Sequence, residues 1–533
     1  MEILYNARVY TLDATRPVVS ALAIQSGHIL ALGDQDSILA DFNREIPGQG
    51  PAHLEDLQGR VVIPGLTDAH IHLEHYALGL QKVDCETEQR EECLRRVGER
   101  ARKTPPGEWI LGHGWNQNNW PEGFGTAVDL DSVAPGHPVY LTAKSLHAGW
   151  ANSAALQRAK IGPGREDPPG GRLGRDRQGN PDGILFESAM DLMAEAIPAP
   201  SQAEIRQAIA AAQTALLEMG LTGVHDFDRR TCFMALQSLH EAGELHLRVV
   251  KSIPVDDLPH AAALGLHTGF GDDTLRIGQV KAFADGALGP RTAAMLQPFE
   301  GEPENRGMLL IDAEEMFEHG RLAAESGLAM AVHAIGDRAN HEILNAFSQL
   351  REYERSQHLP ALRHRIEHVQ LIHPDDTGRL AELGVIASMQ PVHAPSDMLM
   401  ADRFWGERAA LSYAWRTQLD AGAVLAFGSD APVESPNPFW GLHAAVTRRR
   451  PDGSPGPDGW YPEQRLNVRE ALMGFTAGAA YAAGLEDRLG KLARGYLADL
   501  LVLDTDPFQC PPDDMRRIQP VATMVGGEWA YRR

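Results

Sequence analysis

The stretch Val61-Val62-Ile63-Pro64-Gly65-Leu66-Thr67-Asp68-Ala69-His70-Ile71-His72 is a short apolar run that ends in His-x-His. Side chains along an extended strand alternate faces, so His70 and His72 point the same way, one pleat apart. Two imidazoles on one face at a strand's end can grip one cation, and neutral imidazole suits zinc, iron or nickel. The pair alone is weak evidence, because short histidine pairs arise by chance. The rest of the chain gives it weight.

Apolar or β-branched runs recur at Thr222–Phe227, Leu247–Ile253, Ile277–Phe283, Leu328–His333, Arg363–His368, Val385–Met389 and Val424–Gly428. The intervals, such as Ala203–Met219, are rich in Ala, Leu, Glu and Arg and suit amphipathic helices. Eight strands alternating with helices predict an α/β fold, a parallel (β/α)8 TIM-like barrel whose reactive residues sit at the C-terminal strand ends. His70, His72, Lys281, His333, His368 and Asp430 all fall there, on five separate strands, and form a candidate ligand set. Glu367, beside His368, should face the other way if its strand continues, which suits a supporting role.

The constellation resembles the amidohydrolase superfamily over nearly the whole chain. Lys281-Ala-Phe-Ala-Asp-Gly-Ala-Leu-Gly-Pro-Arg-Thr-Ala, His333-Ala-Ile-Gly-Asp, Gly428-Ser-Asp-Ala-Pro-Val and Leu146-His147-Ala-Gly-Trp150-Ala-Asn152-Ser are similar to the branch of YtcJ-like proteins and N-substituted formamide deformylases (amidohydrolase family 3). The resemblance implies a carboxylated Lys281 bridging two metals, zinc by preference. Some relatives work with one metal, and that alternative stays open.

An amide carbonyl is a poor electrophile and neutral water a poor nucleophile; a metal ion polarises the one and acidifies the other. In a two-metal site His70 and His72 would hold one ion with Asp430 nearby, and His333 and His368 the other. Asp430 is the expected general acid and base, taking the proton of the attacking water and passing it to the leaving nitrogen. The expected activity is hydrolysis of a non-peptide C–N bond. A one-metal deaminase of a heterocyclic amine and a lactone or ester hydrolase are the enzymatic alternatives, and a barrel that has lost catalysis is the non-enzymatic one.

Four further residues are candidate substrate contacts. His147, in Ser145-Leu146-His147, could hydrogen-bond a substrate carbonyl or be a satisfied interior histidine. Trp115, in a glycine-rich stretch, could line a pocket or pack in a core. Asp285 and Arg291 flank the segment after the fourth strand; Arg291 would suit an anionic group, or equally a loop salt bridge.

The two ends of the chain read as short strands with tight turns. Residues 1–63 and 485–533 are expected to form one discontinuous β-sandwich, leaving residues 64–484 as the barrel. Residues 76–200, between the first two strands, are too long for a plain barrel connection and are expected to roof the pocket. Within them Ile161–Asp182 reads as an exposed excursion, and Arg448–Gly459 as a mobile loop after the eighth strand.

The 533 residues carry a net charge of −23, which argues against non-specific nucleic-acid or membrane binding. The four cysteines include no Cys-x-x-Cys pair. The N-terminus has no signal-like core and no run spans a bilayer, making the cytoplasm the default. A small-molecule substrate is the expected partner, and a homodimer suits the architecture.

Overall fold

The computed structural model describes residues 1–42, 52–117, 120–144 and 147–533. Ser145 and Leu146 of the His147 motif lie outside the described residues. Eight strands form one sheet in sequential order: β1 (Leu66–Ile71), β2 (Leu221–Asp226), β3 (Arg248–Pro254), β4 (Leu275–Phe283), β5 (Met330–Ala334), β6 (Arg365–His368), β7 (Ile386–Met389) and β8 (Leu425–Phe427). Every neighbouring pair is parallel. The segment after β8 returns to β1 through the bridge Ile71↔Ala431, with Asp430 N–H donating to His70 O at 2.7 Å and His72 N–H to Ala431 O at 2.9 Å. The first and last strands are thus tied together at the end that carries the candidate ligands.

The helix Asp337–Ser356, after β5, buries Ala339, Ile343, Leu344, Phe347 and Leu350, the i, i+3, i+4 spacing of a helix packed on one side.

The opening apolar run divides in two. Val61–Pro64 joins an outer six-stranded sheet, and only Leu66–Ile71 enters the barrel. Gly65 makes the crossing, where a Cβ would lie 2.4 Å from Thr222 Oγ1 of β2, so no side chain fits. The outer sheet contains Glu528–Arg532, Pro520–Val525, Leu500–Leu503, Val61–Pro64, Arg8–Tyr10 and Val18–Val19, in that order, and so takes strands from both ends of the chain. A four-stranded sheet of N-terminal strands shares its apolar core, with Leu4, Leu22 and Ile29 packed in one cluster with Val62, Leu500 and Met524.

The chain separates into two compact units, Met1–Tyr76 with Ile209–Arg533, and Ala77–Ala208. The second is built on a six-stranded sheet of its own. Its Ile161–Asp182 stretch is more than an exposed excursion. Gly171–Arg175 forms a strand that pairs antiparallel with Pro181–Glu187, and Leu173 is buried. The Arg448–Gly459 loop is likewise firmly anchored where it starts. A helix, Pro438–Thr447, comes between it and β8, and the buried Arg448 guanidinium donates to Trp460 O at 2.5 Å and Tyr413 O at 2.8 Å. Among the described residues no helix is long and apolar enough to cross a membrane.

Candidate metal centre

The strand ends bring the predicted histidines together. Ring centroids are 5.8 Å apart for His70 and His72, 5.1 Å for His70 and His368, and 4.6 Å for His333 and His368. Asp430 Oδ1 lies 3.5 Å from Nε2 of both His70 and His72. His70, His72 and Asp430 offer ligand atoms within 4.8 Å of one another, and so do His368, His393 and Asp430.

Each predicted histidine ligand spends one ring nitrogen on a fixed partner. His70 Nδ1 lies 2.6 Å from Glu367 Oε2, His72 Nδ1 3.0 Å from Asp228 Oδ1, and His368 Nδ1 2.8 Å from Gln390 Oε1. His333 is turned the other way, with Nε2 2.9 Å from Gly286 O. Each partner accepts the ring N–H, which fixes the tautomer and leaves the opposite nitrogen's lone pair for a cation. Burial, followed by the charge of Lys281, lowers the pKa of His333 to about 3 and pushes that of His70 well down. Burial, then His333, does the same to His368. The rings of His70, His333 and His368 are therefore neutral at ordinary pH, the form that ligates.

Lys281 lies among them with its Nζ buried and without a hydrogen-bond partner, 4.5 Å above the Phe227 ring and 5.0 Å from that of Phe283. Burial lowers its pKa to about 8. An orphaned buried amine among imidazoles, with the carboxylates of Glu367 and Asp430 acting on it, marks a site that lacks a partner. The donor set of imidazole nitrogen and carboxylate oxygen suits a divalent ion of the zinc type.

Strand alternation fails at one informative place. His368 has φ +76° and Val369 φ +43°, so β6 leaves extended geometry at its last residue. Glu367, expected to face the other way, points inward to His70, and His368 reaches the same cluster. Asp430 also sits in the left-handed region, at φ +60°. Such conformations cost energy and concentrate at functional sites.

Beneath the ligands lies a layer the sequence reading had only partly reached. Glu367 is fully buried, salt-bridged to Arg365 at 2.5 Å and accepting from Ser388 Oγ at 2.6 Å. Asp228 accepts from His72 and His75, and Lys251 pairs with Asp226 at 3.0 Å. Asp68 accepts from the backbone N–H of both His70 and Ser429 at 3.0 Å, tying β1 to the turn after β8. Acids two residues apart at a strand end, as in Asp226-Phe-Asp228, were the signal available for this layer. His393, three residues beyond Gln390, was missed, and no spacing rule would have found it.

The four candidate substrate contacts occupy other kinds of place. Asp285 is buried, and its carboxylate accepts from the N–H groups of Ala294, Ile335 and Gly336 at 2.8–2.9 Å, holding the turn that follows His333. Arg291 pairs with Glu302 and lies over the Phe404 ring at 5.3 Å, which is the loop salt bridge. Within the second unit, Trp115 is fully buried against Trp120 and Trp150 and donates from Nε1 to Leu141 O at 2.9 Å, a core-packing position. His147 is exposed, with Nδ1 2.9 Å from Glu187 Oε2, so it is no interior histidine.

Parallel barrel, strand-end histidines and a strand-eight aspartate define a metal-dependent hydrolase. The match is specific: residues 53–531 fit the model of the amidohydrolase family, and the chain belongs to that family. It is similar to the protein LONG AFTER FAR-RED 3 of Arabidopsis thaliana, 32% identical over 99% of this chain and 91% of that one. It is 31% identical to the putative amidohydrolase YtcJ of Bacillus subtilis, over 100% of this chain and 99% of the relative. The N-substituted formamide deformylase of Arthrobacter pascens is 28% identical over 100% and 98%. Among solved structures, an uncharacterized metal-dependent hydrolase from Pyrococcus furiosus superimposes with a TM-score of 0.77 at 30% identity, covering 95% of this chain and all of that one.

Proposed function

We propose that this enzyme hydrolyses a non-peptide amide-type C–N bond, with N-substituted formamides as the first substrates to try. In this reading the centre would hold two divalent ions, zinc by preference, with N6-carboxylated Lys281 among their ligands. The observation that carries it is the buried, partnerless Nζ of Lys281 within the ring of histidines. An ammonium there would repel cations, whereas a carbamate is an anion with two oxygens. His70 and His72 would hold one ion, and His333 and His368 the other.

When bound, the ions would polarise the scissile carbonyl and lower the pKa of water toward neutrality. Asp430 then serves as the proton carrier, 3.5 Å from the Nε2 atoms of His70 and His72. Burial raises its pKa above the usual carboxylate range, which suits a group that must accept a proton from water and release it to the leaving nitrogen. The full-length likeness to a formamide deformylase supports the choice of substrate.

A one-ion deaminase is the second reading. It is favoured by the compact set His70, His72 and Asp430, which alone supplies the three protein ligands of an open catalytic site. A panel of N-substituted formamides, acylated amines, cyclic imides and aminopyrimidines separates the two. Release of formate or of an amine, abolished by a chelator, is expected. Turnover of aminopyrimidines alone would favour the deaminase, and a metal-loaded protein inert to the whole panel would overturn the hydrolytic reading.

A further inference from the structure

His393 stands apart from the other histidines of the cluster. It opens the helix His393–Trp405 that follows β7, and its ring lies parallel to that of His368, with 6.1 Å between centroids and 12° between planes. It is 8% exposed, and its Nε2 is buried without a partner. One of its ring nitrogens lies within 4.8 Å of ligand atoms of both His368 and Asp430.

Two roles are open to such a group: a further metal ligand, or a hydrogen-bond donor to whatever the metals hold. The hydrogen bonding of the neighbours separates them. His70, His72, His333 and His368 each have one nitrogen fixed by an acceptor on the protein, which orients the other as a lone-pair donor. His393 has no such anchor, since among the described residues neither ring nitrogen makes a hydrogen bond. Metal-bound imidazoles almost always have that outer partner. A ring without it is free to carry its proton on the nitrogen that faces the cluster.

We propose that His393 is a catalytic residue that touches substrate, donating a ring N–H hydrogen bond to the acyl oxygen of a substrate held beside Asp430 and His368, and that it is not a metal ligand. The inference rests on the hydrolytic reading of this centre. The donor would strengthen its bond as negative charge develops on that oxygen. His393 thus fills the oxyanion-binding role that the sequence had suggested for His147.

The test uses the full-length chain loaded with cobalt, as wild type, His393→Ala and His393→Gln. Metal per chain is measured by elemental analysis. The affinity for acetohydroxamate, which presents a carbonyl-type oxygen to the metals, is read from the cobalt visible spectrum. All three proteins are expected to hold the same amount of metal. The hydroxamate should bind about ten- to a hundredfold more weakly to His393→Ala, with much of the loss restored by the amide donor of His393→Gln. Loss of a metal equivalent in either variant would make His393 a ligand and overturn the proposal. Unchanged hydroxamate affinity would also overturn it, leaving a packing residue. Should His393→Ala not fold, His393→Phe keeps the ring's bulk without a donor and carries the same expectation. A wild-type chain that takes up no cobalt would instead defeat the hydrolytic reading, a result distinct from either of these.

Discussion

His70 Nδ1 and Glu367 Oε2 lie 2.6 Å apart, joining the first strand of the barrel to the sixth through its interior. Both side chains are essentially without solvent exposure, and Arg365 holds the other face of the carboxylate. Burial opposes the charge on Glu367, but Arg365 and then Lys281 outweigh it and keep its pKa below the usual value. One carboxylate thereby orients a candidate metal ligand and neutralises a buried guanidinium.

Glu367→Gln should impair both tasks. The amide can still meet His70, but Arg365 loses its counter-charge in a dry interior, at a cost of about 3 kcal/mol or more. The orientation of His70 also weakens, and metal affinity should fall about ten- to a hundredfold. Denaturant unfolding and metal titration read the two effects. A variant with wild-type values in both would contradict the role given to Glu367.

Asp430→Asn should leave the metals bound and the chemistry stalled. The side chain keeps an oxygen for the ion but has lost the group that carries the proton. Turnover is expected to drop about a hundredfold to ten-thousandfold, with metal content unchanged. Activity near that of the wild type would remove Asp430 from proton transfer.

Lys281 makes the pH behaviour of reconstitution specific. Its pKa is lowered to about 8 by burial, and only the neutral amine attacks carbon dioxide. The neutral fraction grows as pH rises through that value, so metal uptake by stripped protein should speed up with pH across it. Uptake should also require bicarbonate. Lys281→Met should abolish the bicarbonate dependence, and a wild-type protein that reloads equally fast without bicarbonate would rule out the carbamate.

Metal removal should lower thermal stability. A ligand that binds only the folded state stabilises by RT ln(1 + [L]/Kd), about 4 kcal/mol at a thousandfold excess over Kd. Stripping with a chelator should therefore lower the melting temperature, and zinc should restore it. No shift on stripping would mean that these histidines hold no ion in the folded protein.

How far the sequence led is clearest strand by strand. Each of the eight barrel strands coincided with a run read from the sequence, most of them apolar because both faces of a parallel sheet are buried, while β6, Arg365-Ile366-Glu367-His368, is mostly polar. The candidate ligands could be picked out because strand ends collect reactive groups. What stayed hidden was contact between distant segments. No pattern shows that Gly65 must pass against Thr222, that Val61–Pro64 pairs with Leu500–Leu503 from the far end of the chain, or that Glu367 meets His70. The positive φ of His368 let a residue predicted on one face share a cluster with its neighbour. Trp115 looked like part of a loop because of its glycines, yet Ile110–Trp115 is a strand in a core.

The most direct test of the central claim is metal content per chain, together with native intact mass, on protein purified without chelators. Two divalent ions and a mass gain of one carbon dioxide, lost in Lys281→Met, are expected. One ion with an unmodified lysine would move the reading to the one-ion deaminase, and a folded chain carrying no metal would contradict the account outright.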